Sequence, residues 1–145
     1  MKRLENNIHT KIEKLCDAGD KFAQKGHFSF ALSNYWTAYD LLPEPKEEWV
    51  AGTWILTAIG DANFLNRDYQ AGADNLSASM SFPCAIGNPF LHLRLGQCCY
   101  ELGNLEKAKN EFLKAYNSEG VELFSNEDSK YFELIKSILL IEELI

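Results

Sequence analysis

Three histidines and four cysteines are the side chains with most to offer metal or nucleophile chemistry, and their spacing argues against both. His9, His27 and His92 fall in different stretches, and none has a Cys, Ser or Asp at a motif spacing. Cys16, Cys84, Cys98 and Cys99 form no CxxC pair, and the adjacent Cys98 and Cys99 are badly placed to bond to each other. They read as reduced, mostly buried small apolar side chains of a cytoplasmic protein, with no metal site. No glycine-rich phosphate loop, GxSxG elbow or HExxH helix is present. Asp61 and Glu101 are a carboxylate pair that helices could bring face to face, but such charges are ordinarily solvated helix faces. The expectation is no catalytic residue, no metal and no cofactor: a chain that is not an enzyme.

Charge then narrows the partner. The 145 residues carry a formal net charge of −7, the wrong sign for nucleic acid or an anionic membrane, both of which demand a basic footprint. An acidic surface ordinarily does no more than keep a chain in solution; the sharper reading is a basic protein partner. With 46% apolar and 24% charged residues, the composition is that of one ordinary globular domain spanning 1–145. Met1, Lys2 and Arg3 are followed at once by Glu5, Asn6 and Asn7, so no signal peptide is expected. The most apolar stretch, 135–145, contains Lys136, Glu142 and Glu143 and is too short to span a bilayer.

The elements that position these residues are clearest in 88–115. Asn88 suits an N-cap and Pro89 a first helical position, where its missing N–H costs nothing. Leu91, Leu95, Cys98, Cys99 and Leu102 recur at helical spacing, Gly103 and Asn104 interrupt, and Leu105, Ala108, Phe112 and Ala115 resume. So tight a turn makes the two helices pack antiparallel. Gly96 sits mid-helix, where glycine costs about 1 kcal/mol against alanine. A close approach compensates, and the pattern places Ala108 opposite it. The series Leu95, Gly96, Gly103, Ala108, Phe112 and Ala115 resembles the tetratricopeptide repeat (TPR), a helix pair of about 34 residues. His92 and Cys99 stand where that family has larger aromatics.

Two further pairs share the register. Leu4, Ile8, Ile12, Leu15 and Phe22 form a stripe that breaks at Gly26 and His27; Phe28, Ala31, Leu32, Tyr35, Ala38, Leu41 and Leu42 form a second, closed by Pro43 and Pro45. In the middle, 47–66 predicts a long helix through Trp49, Trp54, Leu56, Ile59 and Phe64, and 69–80 its partner through Ala73 and Leu76. Gly19, Gly60 and Gly96 align, as do Tyr35, Leu76 and Phe112, with an insertion around 42–49. Ser125 followed by Asp128 resembles a capping box, opening a last helix through Tyr131, Phe132, Leu134, Ile135, Ile138, Leu139 and Ile141. The fold expected is all-α: antiparallel helix pairs at about 4–42, 47–81 and 88–118, stacked as a short right-handed TPR superhelix of three repeats. A capping helix at about 126–144 would close the open edge of the core.

The TPR resemblance implies a concave groove lined by the first helix of each pair. Family geometry maps that lining onto Glu13, Cys16, Asp20 and Ala23, then Trp54, Thr57, Asp61 and Phe64, then Phe90, Leu93, Gln97 and Tyr100. His92 and Arg94 flank it, His92 reading as a packed core histidine rather than a ligand. Aromatic anchors with carboxylates suit protein recognition, although Trp54, Phe64 and Phe90 fit equally well as fillers between repeats. The expected partner-binding residues are Asp20, Trp54, Thr57, Asp61, Phe64, Phe90, Arg94, Gln97 and Tyr100. Two stretches, EEWVAGTWILTAIGDANF (47–64) and IGNPFLHLRLGQC (86–98), resemble small bacterial TPR immunity proteins encoded beside polymorphic or contact-dependent toxins. That resemblance implies a cytoplasmic protein that binds and neutralises a basic toxin domain. The alternatives are a TPR-type secretion chaperone holding an extended client peptide, or a general TPR scaffold.

Overall fold

All three expected helix pairs are present in the computed structural model, which describes residues 3–144 and their side chains through residue 140. The first pair is α1 (Asn6–Gln24) with α2 (Phe28–Asp40), the second α3 (Val50–Leu65) with α4 (Tyr69–Ser79). The third pair is α5 (Pro89–Glu101) with α6 (Leu105–Glu119), and α7 (Ser129–Leu144) follows. No strand occurs among the described residues. The chain divides into two compact units, Met1–Ile86 and Gly87–Ile145.

In the first unit α1 packs on α2, α2 on α3 and α3 on α4. Ile12, Ala31, Tyr35, Ala38, Leu42, Ile55, Leu56 and Ile59 are buried in one cluster that ties the two pairs together. In the second unit α5 packs on α6, and α6 on α7. Phe112 is fully buried there, with the Phe124 and Tyr131 rings at 5.7 and 5.8 Å. Offset or edge-on aromatic pairs of this kind add to simple burial.

Each first helix carries a notch that its partner fills. A Cβ built on Gly19 would lie 2.5 Å from the Tyr35 ring, one on Gly60 would collide with Leu76, and one on Gly96 would lie 2.6 Å from the Phe112 ring. Phe112, not Ala108, therefore occupies the position opposite Gly96. Ala108 is fully buried one turn earlier on α6. A fourth such contact, Phe82 against Gly52, anchors the chain that follows α4.

The turns are alike too. Gly26 (φ 78°), Arg67 (φ 62°) and Gly103 (φ 84°) hold corresponding left-handed positions, and only Arg67 is not glycine. Asp68 and Asn104 follow as N-caps, accepting from the N–H groups of Ala71 and Lys107.

Two boundaries differ from expectation. The first helix of the middle pair begins at Val50 rather than residue 47, after a 3-10 turn at Lys46–Glu48. Trp49 is extended (φ −104°, ψ 124°), its indole N–H donating to the Pro43 carbonyl at 2.8 Å. Lys46 donates to the Leu42 carbonyl at 2.7 Å. These bonds close the insertion as a turn before the helix starts. No Ser125 capping box forms: its hydroxyl donates to the Glu122 carbonyl at 2.7 Å in a 3-10 turn, Val121–Phe124. Asp128 instead accepts from the Lys130 N–H at 3.0 Å, and α7 begins at Ser129. The Ile141 side chain, expected on the buried stripe of this helix, lies outside the described residues.

Two stability outcomes follow. Gly96→Ala should cost about 1–3 kcal/mol, because Phe112 is pinned by other rings and cannot retreat; a chemical denaturation midpoint equal to wild type would refute the notch. Arg67→Gly should gain about 0.5–1 kcal/mol, since relief of the left-handed backbone outweighs the added freedom of the unfolded chain. A lower midpoint for this variant would show that the Arg67 side chain matters more than its backbone.

Candidate functional site

The expected contact residues separate into those that line an open groove and those the fold has used elsewhere. In the first unit, α1 and α3 face each other across a groove of about 210 Å³. Its α1 wall carries His9, Ile12, Glu13, Cys16, Asp17 and Asp20, and its α3 wall Ala51, Trp54, Ile55 and Ala58. Of the expected set, Asp20 and Trp54 are brought together here, beside Glu13 and Cys16. Helical spacing puts residues 13, 16, 17 and 20 on one face of α1. Trp54 is 59% exposed.

At one end the groove opens into a wider hollow of about 540 Å³, lined by Arg3, Leu4, Asn6, His9, Trp49, Val50, Ala51 and Trp54. Trp49 and Arg3 are contributors that the repeat mapping missed. Trp49 belongs to the insertion, which no repeat position describes, and Arg3 precedes α1. The His9 Nε2 meets the Glu13 carboxylate one turn further along α1.

Electrostatics along α1 are set by carboxylates. Asp20 accepts a 2.6 Å hydrogen bond from the Tyr35 hydroxyl. Burial first, then that bond and the charges of Asp20, Cys16 and Asp61, drive the Tyr35 hydroxyl far above its ordinary value. Burial, followed by the Asp20 and Asp17 carboxylates, pushes the Cys16 thiol up to about 11. Cys16 is therefore a protonated, weakly nucleophilic thiol at neutral pH.

The other expected residues of α3 do not line the groove described above. Thr57 is half-buried and donates to the Thr53 carbonyl at 2.6 Å. Asp61 is half-buried and near enough to Tyr35 to act on its hydroxyl. Phe64 is half-buried, with its ring 5.8 Å from that of Tyr69.

The second unit turns two of its four expected contact residues inward. Glu127, on the chain leading into α7, accepts from Arg94 at 2.5 Å and from the Gln97 amide at 2.7 Å. Arg94 also donates to Gln97 at 2.7 Å and lies 5.0 Å from the centre of the Phe90 ring. Gln97 is fully buried and Arg94 only 8% exposed. Both, expected as contact residues, serve instead as internal ties to a half-buried carboxylate that needs donors. Leu93, expected along the groove, is buried as well. Tyr100 is half-buried, edge-on to Tyr131 at 5.2 Å and beneath the Lys130 ammonium at 5.6 Å. Lys130 pairs with Glu101 at 2.7 Å, so that carboxylate is held in an ion pair. Phe90, at 37%, keeps an open face.

His92 is a buried core histidine. Its Nδ1 lies 2.6 Å from Glu111, and its Nε2 accepts from the Gly87 N–H at 2.9 Å. The second contact places the ring proton on Nδ1, donating to Glu111. Among the described residues no group of three His, Cys, Asp or Glu side chains is arranged to hold a metal. No described helix is long and apolar enough to cross a membrane.

This is the fold of a tetratricopeptide-repeat domain. The first TPR domain of human RPAP3 superposes with a TM-score of 0.69 at 18% identity, over 88% of this chain and 94% of that one. The C-terminal TPR-containing domain of a Plasmodium falciparum FK506-binding protein gives 0.71 at 18% identity, over 98% and 93%. The TPR2AB domain of yeast Sti1, solved in complex with pHSP90, gives 0.65 at 18% identity; 92% of this chain covers 50% of that one. No protein-family model matches the sequence, and no curated protein matches it.

The shifted thiol gives a direct check on the groove. Iodoacetamide should modify the exposed Cys84 first, and Cys16 slowly until the pH approaches about 11. Below that value the Cys16 rate should rise about tenfold per pH unit. Peptide mapping by mass spectrometry reads both sites; a Cys16 rate that levels off by pH 9 would contradict the acidic, part-buried setting.

Proposed function

We propose that this chain is a protein-binding module whose α1–α3 groove receives a basic partner. One observation carries the reading: Trp54 stands 59% exposed in a groove whose opposite wall presents Glu13, Asp17 and Asp20. An exposed tryptophan in a hollow is the kind of anchor that dominates binding energy, and carboxylates around it steer a cationic partner. The net charge of −7 acts in the same direction at longer range. The TPR fold supports a binding role, and the Sti1 neighbour is itself solved in a complex.

Within that reading, the protein is an immunity protein that binds and neutralises a cognate bacterial toxin domain in the cytoplasm. The likeness of 47–64 and 86–98 to toxin-linked TPR proteins supports this. Asp20 and Trp54 are its first contacts, with Thr57, Asp61, Phe64, Phe90 and Tyr100 as further candidates. A chaperone holding an extended client is the second reading, favoured by the shared lining of the groove and the wider hollow at His9, Ala51 and Trp54.

Co-expression with the product of the neighbouring gene, followed by affinity capture and size-exclusion chromatography, tests both. A stoichiometric complex with a folded basic domain, together with rescue of growth, is the expected outcome. Trp54→Ala should weaken that complex about tenfold or more while leaving the helical circular dichroism intact. Capture of unfolded clients without rescue would favour the chaperone, and absence of any protein partner would overturn the binding-module reading.

A further inference from the structure

The hollow and the narrow groove share His9, Ala51 and Trp54, so they form one trough with two ends of different chemistry. At the wide end Trp49 is a fixed wall, held by its hydrogen bond to Pro43. Trp54 is a half-open wall with no hydrogen-bond or ring partner among the described residues. Arg3 brings positive charge to this end, which disfavours a cation and leaves an apolar side chain as the fitting guest.

The narrow end has the opposite character. Asp17 makes no hydrogen bond or ion pair among the described residues, and Asp20 uses one oxygen for Tyr35 and keeps the other. Ile55 and Ala58 offer an apolar floor, along which the stem of a lysine or arginine can lie while its head reaches the carboxylates. Glu13, paired with His9, marks the border between the two ends.

Resting on the binding-module reading above, we propose that the trough takes an extended segment of a partner protein bearing an apolar side chain and a lysine or arginine. The apolar side chain sits between Trp49 and Trp54, and the cation against Asp17 and Asp20. Along α1 the centres of the two ends are about two and a half turns, roughly 14 Å, apart. An extended chain covers that distance in about four residues. The two recognised side chains are therefore about four positions apart. A second copy of this acidic chain is the poorer occupant, since it brings a net charge of −7 to a negative wall.

Fluorescence anisotropy with the full chain tests the spacing directly. The probes are dye-labelled peptides in a glycine–serine background: phenylalanine and lysine four apart, the same residues adjacent, and phenylalanine and glutamate four apart. The first should bind about tenfold or more tighter than the others, and more weakly as salt rises. Trp54→Ala and Asp17→Asn should each reduce its binding with the helical signal unchanged; Asp17 has no internal partner to lose. Equal affinity for the glutamate peptide, indifference to Trp54→Ala, or self-association through the trough would overturn the proposal. A toxin domain captured equally by wild type and Trp54→Ala would remove this inference and leave the binding-module reading standing. Selective peptide binding without any toxin complex would do the reverse to the immunity reading.

Discussion

Glycine meeting a large side chain sixteen residues later (19 with 35, 60 with 76, 96 with 112) is the contact on which each helix pair depends. A helix with a Cβ at that point would have to stand off from its partner, and the antiparallel pair would lose its closest packing. The glycine weakens its own helix by about 1 kcal/mol, yet the side chain it admits is fully buried or nearly so: Tyr35 3%, Leu76 0%, Phe112 0%. Burying a residue of that size is worth about 1.5–3 kcal/mol, so the exchange favours the pair. The same notch sets the turn, since Gly26, Arg67 and Gly103 all fall seven residues after it.

That constraint explains what was legible in the sequence. A glycine in mid-helix with a large residue at a fixed interval is a rare local pattern, and it survives in the middle pair even where Gly72 replaces the usual alanine. Element order and the pairing of helices could be read from it. Partner assignment within a pair was less secure: both Ala108 and Phe112 lie on the buried face of α6, and only packing shows that the ring, not the methyl, enters the notch.

The lining of the groove was legible on α1 and at Trp54, because a helical face is fixed by spacing alone. Which side chains of α5 turn inward was not. Whether Arg94 and Gln97 face a partner or the chain's own interior depends on Glu127, thirty and more residues away, in a loop that no repeat pattern covers. A lone carboxylate arriving there converts two apparent contact residues into structural ties. The wide hollow escaped notice for a related reason: Trp49 and Arg3 lie outside the regular helices that periodicity can describe.

Notch and trough lie on different faces of the same helices. Gly19 and Gly60 turn toward α2 and α4, while Asp17, Asp20 and Trp54 are exposed to solvent. Substitution at Asp17 or Trp54 leaves the notch untouched, whereas Asp20 also holds the hydroxyl of the Tyr35 that fills it; positions 17 and 54 are free to drift without unfolding the pair that carries them. A scaffold partitioned in this way can change what its open face presents by a few substitutions while its packing stays the same.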